Sequence, residues 1–442
     1  MKLIAAIFCL IILTFSLFAQ NTDEILATAN NQKFTSKDLE PNMREAFEKL
    51  PTVIADMRKA LLEQQITDAL LDTEAAARKI PVEKLIETDI VNKVPNPTDK
   101  EIQAVYDANQ AALGGKSLNE VRPQIIAFLK REPGQKALTI YIAQLKTKYK
   151  VAPGKDINAP NLKPLDVLAT VGGKTISVEN FEAKNKSALS DLEAEIYENV
   201  SESLEQTIFS TLLATEAKAQ NLESGDLIAR EITDKMRDYT PEERGQLENA
   251  LKKRLFEKYK TKILLKEPMP FVQNVSTDDD PSRGKTAAPV TVVMFSDFQC
   301  PACGAAHPVL QRVLAEFGDK VRFVMRDFPL TRIHKNAFRA AVAANAAGTQ
   351  GKFFEYAEIL YKNQQSLDDE SLKKYAADLS LNLKQFELDL ASEKYAAEVR
   401  KDMADGEKYG INSTPTIFVN GVKVHQLSAD GFRRAIEKAL KK

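Results

Sequence analysis

The chain has 442 residues, too many for one compact core and enough for about three domains. Its 61 Lys and Arg residues balance 62 Asp and Glu, a formal net charge of −1, so no basic surface points to nucleic acid or an anionic membrane. Tryptophan is absent and aromatic residues make up only 7 %, which leaves little with which to build a base-stacking platform.

Lys2 precedes an almost wholly apolar run from Leu3 to Phe18, and Ala19 ends it before polar residues begin at Gln20. That run is short for a membrane-spanning helix, so residues 1–19 are expected to be a cleaved signal peptide and the mature protein a soluble, exported one. Cys9 would be discarded with the signal. The mature chain would then keep two cysteines, Cys300 and Cys303, both in one CxxC in an oxidising compartment.

After the signal, Ile25 to Leu39 predicts a short strand, a turn at Asn30-Asn31, a second strand and a helix capped near Thr35 or Ser36. Amphipathic helices follow from about Met43 to Lys79. The pattern then returns: Leu26 to Glu40 aligns with Leu168 to Glu182, Leu62-Glu63-Gln64 with Leu204-Glu205-Gln206, and Leu70 to Ala75 with Leu212 to Ala217. All three pairs share an offset of 142 residues. A duplicated module is therefore expected, with copies over 24–154 and 164–266. These hairpin-and-helix segments resemble the N-terminal region of SurA-like and parvulin-type folding factors. The first copy also carries that family's later pattern at Asn96 to Tyr106, then a long helix from about Ser117 to Lys148. The stretch from Asp107 to Lys116 is too short for an isomerase domain, so the resemblance implies a chaperone-like surface without isomerase chemistry. A spacer or dimerisation arm is the alternative, since amphipathic helices always bury one face.

Residues 267–288, rich in Pro, Asp, Ser and Gly, predict an exposed linker that lets the last domain swing, with Asp278-Asp279-Asp280 as a solvated loop. Val290 to Phe295 is a β-branched and apolar run expected to be a buried strand, and Gly304 to Phe317 has helical spacing. Cys300-Pro301-Ala302-Cys303 therefore opens a helix. There the first-turn amides and helix dipole favour a thiolate on Cys300, expected to be the exposed attacking sulfur. Pro301 fits the first turn, and Cys303 follows on the same side as the resolving sulfur. The alternative of half a zinc site fails, because His307, His334 and His425 form no paired ligand motif and Cys9 is the one other cysteine.

Three motifs in order, Phe295 to Cys303, Val321 to Leu330 and Ser413 to Gly421, resemble the DsbA-like branch of the thioredoxin superfamily from about residue 286 to the end. The expected fold is thus multidomain: mainly α SurA-like modules, then an α/β thioredoxin domain over 289–442 with a helical insertion at about 336–406. The resemblance implies a cis Thr414-Pro415 peptide facing the CxxC, with Thr414 and Pro415 binding client backbone. It implies a periplasmic thiol–disulfide oxidoreductase acting on unfolded or reduced exported clients, without cofactor or metal. It also implies a membrane reoxidant of the DsbB or vitamin K epoxide reductase type. An isomerase or reductase kept reduced, or a holdase or scaffold with secondary redox activity, are the alternatives. Two departures bear on the site: Ala302 replaces a thiolate-stabilising histidine, and Met294 stands where many relatives carry a buried acid. Asp297 is a candidate to replace that acid, although its loop predicts a solvated carboxylate. His334 and Asn336 are expected to be structural.

Overall fold

The structure, a computed structural model, describes residues 24–441; the expected signal peptide and Cys9 lie outside the described residues. The first repeat copy runs β1 (Ile25–Ala29), β2 (Gln32–Thr35), α1 (Pro41–Arg78), α2 (Val82–Asp89), α3 (Asp99–Ala108), α4 (Leu118–Leu129), α5 (Arg131–Lys148) and β3 (Ala152–Pro153). The second runs β4 (Val167–Val171), β5 (Lys174–Ser177), α6 (Val178–Ala219), α7 (Ser224–Glu231), α8 (Pro241–Lys258) and β6 (Lys262–Ile263). Both hairpins turn on two residues of positive φ, Asn30-Asn31 and Gly172-Gly173, a geometry that matches strand twist. The helix expected over 117–148 is broken at Lys130. Pro133 lacks an N–H and its ring would crowd the carbonyl of Leu129, where α4 ends.

The described chain forms two compact units, one of Pro51–Lys186 and the other of the remaining residues. In the first, β4 of copy two pairs with β3 of copy one, Ala152 opposite Thr170, and Ala169, Val171 and Ile176 pack with Leu70, Leu71, Leu85 and Leu145. In the second, β1 of copy one pairs with β6 of copy two, Thr28 opposite Lys262, and Leu26 and Phe34 pack with Leu204, Ile208, Leu212 and Leu255. The copies have exchanged hairpins, so 24–154 and 164–266 are sequence repeats rather than folding units. Each unit also closes on one buried glutamate. Glu74 accepts from Tyr149 at 2.7 Å and Lys148 at 2.5 Å, and Glu216 accepts from Tyr259 at 2.8 Å and Lys258 at 2.6 Å.

The rest of the second unit runs β7 (Ser282–Arg283), β8 (Val290–Ser296), α9 (Pro301–Phe317), β9 (Val321–Asp327), α10 (Ala337–Gly348), α11 (Phe353–Lys362), α12 (Asp369–Asp378), α13 (Leu383–Leu390), α14 (Glu393–Lys408), β10 (Thr416–Val419), β11 (Val422–Val424) and α15 (Ala429–Leu440). Its sheet has the order β11-β10-β8-β9-β7, with β8 and β9 parallel and the crossover made by α9. Met294, Met325, Ile417 and Val419 face a core that includes Cys303 and the alanines of α10; Phe295, Val324, Phe328 and Phe418 face a second core. Gly406 of α14 lies over that second core, where an added Cβ would stand 2.7 Å from the Phe328 ring. Gly406→Ala is therefore expected to destabilise by about 1–3 kcal/mol despite alanine's helix preference, read as a lower urea midpoint.

Residues 267–288 are not a free linker. Gln273 N–H donates to the Gly421 carbonyl at 2.8 Å, Met325 N–H donates to the Pro281 carbonyl at 3.0 Å, and β7 adds an antiparallel edge to β9. Asp280 is buried beside Arg326, while Asp278 pairs with Lys401. The physical reason is Arg326, fully buried on β9 and in need of counter-charge that this segment supplies. Within the same unit the sheet is also tied to α6 and α8: Lys423 to Asp191 at 3.0 Å, Gln426 to Glu202 at 2.7 Å, and Asn249 to Asp430 at 3.0 Å.

Candidate active site

β8 ends at Ser296, a short loop follows, and Cys300 caps the N-terminus of α9 with Pro301 in the first turn. The loop is pinned by Cys300 N–H donating to the Asp297 carbonyl at 3.1 Å. From beyond the end of α11, the Gln364 side-chain amide donates to the carbonyls of Phe298 at 3.0 Å and Cys300 at 2.7 Å. Opposite the helix start, the Thr414-Pro415 peptide is cis, and the Cys300 sulfur lies 3.4 Å from the Thr414 carbonyl oxygen. Both cysteines are free thiols. Cys300 is more covered than expected, at 7 % exposed, because Thr414 closes over it; Cys303 has no exposure, while Pro301 and Ala302 are exposed.

The two sulfurs have opposite proton affinities. The Cys303 thiol, foremost, together with the backbone N–H groups of Cys303 and Ala302, lowers the Cys300 thiol to about 5, against the opposing effect of burial. The Thr414 side chain adds to this. Burial pushes the Cys303 thiol well up, and the neighbouring Cys300 adds to it; the Ser296 hydroxyl and Asp297 N–H act in the other direction. The resting dithiol is thus a thiolate at Cys300 and a thiol at Cys303.

Asp297 is not a solvated loop carboxylate. It is 1 % exposed; Oδ1 accepts from Gln299 N–H at 2.7 Å, and Oδ2 accepts from Leu330 N–H at 2.8 Å and lies 2.8 Å from His334 Nδ1. The carboxylate fastens the active-site loop to the Leu330–His334 loop, and Asn336 N–H adds a 2.9 Å bond to Gln299. Sequence reasoning missed Tyr361, whose ring packs on Phe298, and Gln364. Both reach the site from the helical insertion, and no local spacing signals such a contact.

Among the described residues, no cluster of three metal-ligating side chains includes either cysteine. Asp280, Glu398 and Asp402 do converge. Arg326 already neutralises that group, with Nε 3.0 Å from Asp280 Oδ2 and 2.9 Å from Asp402 Oδ1, so it is an ion-pair cluster. No helix among the described residues is long and apolar enough to cross a membrane.

The Thioredoxin family profile matches residues 276–438. A protein named Na(+)/H(+) antiporter NhaA 1, from Mycolicibacterium vanbaalenii, is 39 % identical over 155 residues, which are 35 % of this chain and 25 % of the antiporter. The chain thus spans about a quarter of the length of the curated relatives it matches. Among solved structures, oxidised BdbD from Bacillus subtilis is 28 % identical with a TM-score of 0.36, over 39 % of this chain and 99 % of that one. Wolbachia pipientis alpha-DsbA1 is 19 % identical with a TM-score of 0.33, over 38 % of this chain and 96 % of that one. Residues 276–438 thus form a thioredoxin-like region.

Proposed function

We propose that this protein is an exported, periplasmic oxidoreductase that donates disulfides to client proteins through Cys300 and Cys303. The observation that carries this reading is the split between the sulfurs: a stabilised thiolate at a helix start beside the cis-proline loop, and a buried thiol behind it. A client thiolate attacks Cys300 of the disulfide, the bond between the sulfurs breaks, and Cys303 leaves with the electron pair. A second client thiolate then attacks the client sulfur of the mixed disulfide, releasing an oxidised client and the Cys300 thiolate. Stabilising that thiolate favours the reduced dithiol, which is what makes a disulfide a strong oxidant. Thr414 and Pro415 hold the client backbone, and a membrane reoxidant of the DsbB or vitamin K epoxide reductase type returns the pair to the disulfide.

Equilibration with glutathione buffers tests the direction. A potential near about −120 mV is expected for a donor; a value at or below about −200 mV would instead make the protein an isomerase or reductase. Cys303→Ala should trap client mixed disulfides on Cys300, and recovering none from the exported compartment would sink both redox readings. For the helical repeat we propose a client-holding, chaperone-like role, SurA-like in kind. Failure of the full chain to suppress aggregation of an unfolded, cysteine-free client would reduce the repeat to a spacer.

A further inference from the structure

Cys300 lies where β8 has ended and α9 has not yet begun, so no regular ladder of hydrogen bonds fixes its backbone. Its φ of −77° and ψ of 120° are extended, while the next residue is already helical. Rotation about ψ moves the sulfur relative to everything that follows it in the chain. The Cys300 ψ therefore decides whether the sulfur stands in front of the Ala302 and Cys303 N–H groups, which favour its thiolate.

Two donors converge on the Cys300 carbonyl and hold that angle: Gly304 N–H at 3.1 Å, from α9, and Gln364 Nε2 at 2.7 Å, from the helical insertion. The same Gln364 nitrogen also donates to the Phe298 carbonyl at 3.0 Å. With two hydrogens on one amide nitrogen, a single side chain grips the loop on both sides of Gln299.

Gln364 is itself held in place. It is half-buried in the turn between α11 and α12, where Ser366 N–H donates to the Asn363 carbonyl at 2.8 Å. From α12 the Tyr375 hydroxyl donates to the Ser366 carbonyl at 3.0 Å, and Leu367 roots the turn in the core. On the other side, residue 304 leaves room for the amide by having no side chain. A Cβ there would stand 2.8 Å from Gln364 Oε1 and 3.2 Å from its Nε2. Gly304 lies inside α9, so close approach and not backbone geometry is what glycine permits at this position.

We propose that Gln364 is a positioning residue of the redox pair: from a braced turn of the helical insertion it fixes the Phe298–Cys300 backbone and keeps the Cys300 sulfur in front of the first-turn amides of α9. The assignment rests on the oxidoreductase reading, and adds that the helical insertion sets how strong an oxidant the disulfide is. Gln364 acts through the carbonyls it holds. In exchange with oxidised glutathione, the dithiol gives up two electrons, the Cys300–Cys303 bond forms and the glutathione disulfide breaks. The Cys303 proton and one from solvent end on the two glutathione sulfurs. Whatever stabilises the Cys300 thiolate holds this exchange back and makes the protein disulfide the stronger oxidant.

The test uses the full-length protein and two readouts that packing alone does not move, the pH midpoint of Cys300 alkylation and the equilibrium constant with glutathione. Gln364→Met keeps the length of the side chain and removes its donors. The midpoint should rise by about one pH unit, the weight of one hydrogen bond, and the disulfide should become about tenfold weaker as an oxidant at pH 7. Gly304→Ala pushes the amide off the loop while leaving Gln364 in the sequence, and should shift both readouts in the same direction. Gln364→Glu sets an acceptor against both carbonyls and should exceed Gln364→Met. Because the two positions act through one contact, the Gly304→Ala, Gln364→Met double variant should shift little beyond either single one. A Gln364→Met protein with unchanged midpoint and unchanged equilibrium constant would overturn the assignment. So would one that unfolds in less urea yet keeps the wild-type midpoint, since that is the mark of packing alone. Gly304→Ala carries the test if Gln364→Met does not fold. A wild-type protein that exchanges no disulfide with glutathione would instead defeat the oxidoreductase reading itself.

Discussion

Arg326→Met is expected to destabilise the thioredoxin-like domain by about 3–5 kcal/mol, because removing one partner of a buried ion-pair cluster strands the others. Arg326 is fully buried, sits over the Phe295 ring with its guanidinium carbon 5.2 Å from the centroid, and is bonded to Asp402. Asp280 and Asp405 complete the cluster at 3.0 and 3.2 Å. Even with the arginine present, burial followed by Asp402 raises Asp280 to about 9, and burial also raises Asp402; the two acids share a proton. Without the cation, the folded-state proton affinities of Asp280 and Asp402 rise further, and Asp405 loses one of the groups that hold it low. A group whose folded pKa is raised loses its stabilising contribution as pH rises, so the deficit should be larger at pH 8 than at pH 5. Cys303 has no exposure, so its alkylation in a urea series reports opening of this domain. A variant as stable as the wild type at pH 8 would show that the cluster contributes nothing.

The chemistry at the C-terminal end was the most legible part of the sequence. A β-branched run, a CxxC and a helical period in that order leave little room for another local structure, and the Asn420-Gly421 turn has the positive φ values its residues favour. What lay beyond reach were contacts without a period. Asp297 looks like any loop aspartate until Leu330 and His334 fold over it. Residues 267–288 have a linker's composition, and nothing local distinguishes a solvated Asp280 from one placed beside a buried arginine more than forty residues on.

The repeat teaches the same lesson on a larger scale. Matching offsets reveal two equivalent hairpins and two equivalent helix sets, but a hairpin equivalent to its partner satisfies either set. Pairing of β1 with β6 and of β3 with β4 leaves the apolar pattern unchanged from the unexchanged arrangement.

The Cys300 thiol should titrate with a midpoint of about 5, measured by the pH dependence of its alkylation. An unperturbed thiol near 8.5 is only a few per cent ionised at pH 7, so Cys300 should react roughly thirtyfold faster there than its thiol chemistry alone predicts, before any loss of intrinsic nucleophilicity. Because the Cys303 thiol is the largest contributor, Cys303→Ala should move the midpoint up towards the ordinary value. The same shift governs stability. Between about pH 5 and 8.5 the unfolded reduced chain binds more protons at Cys300 than the folded one, so the reduced protein gains stability over the oxidised as pH rises. Above about 8.5 the gain should reverse, since the raised Cys303 thiol then holds its proton in the folded state and loses it on unfolding. Melting temperatures of both redox forms across this range measure the effect directly. A midpoint near 8.5 with no pH-dependent gap would remove the thiolate preference on which disulfide donation depends, and would leave the reductase reading as the one consistent with the site.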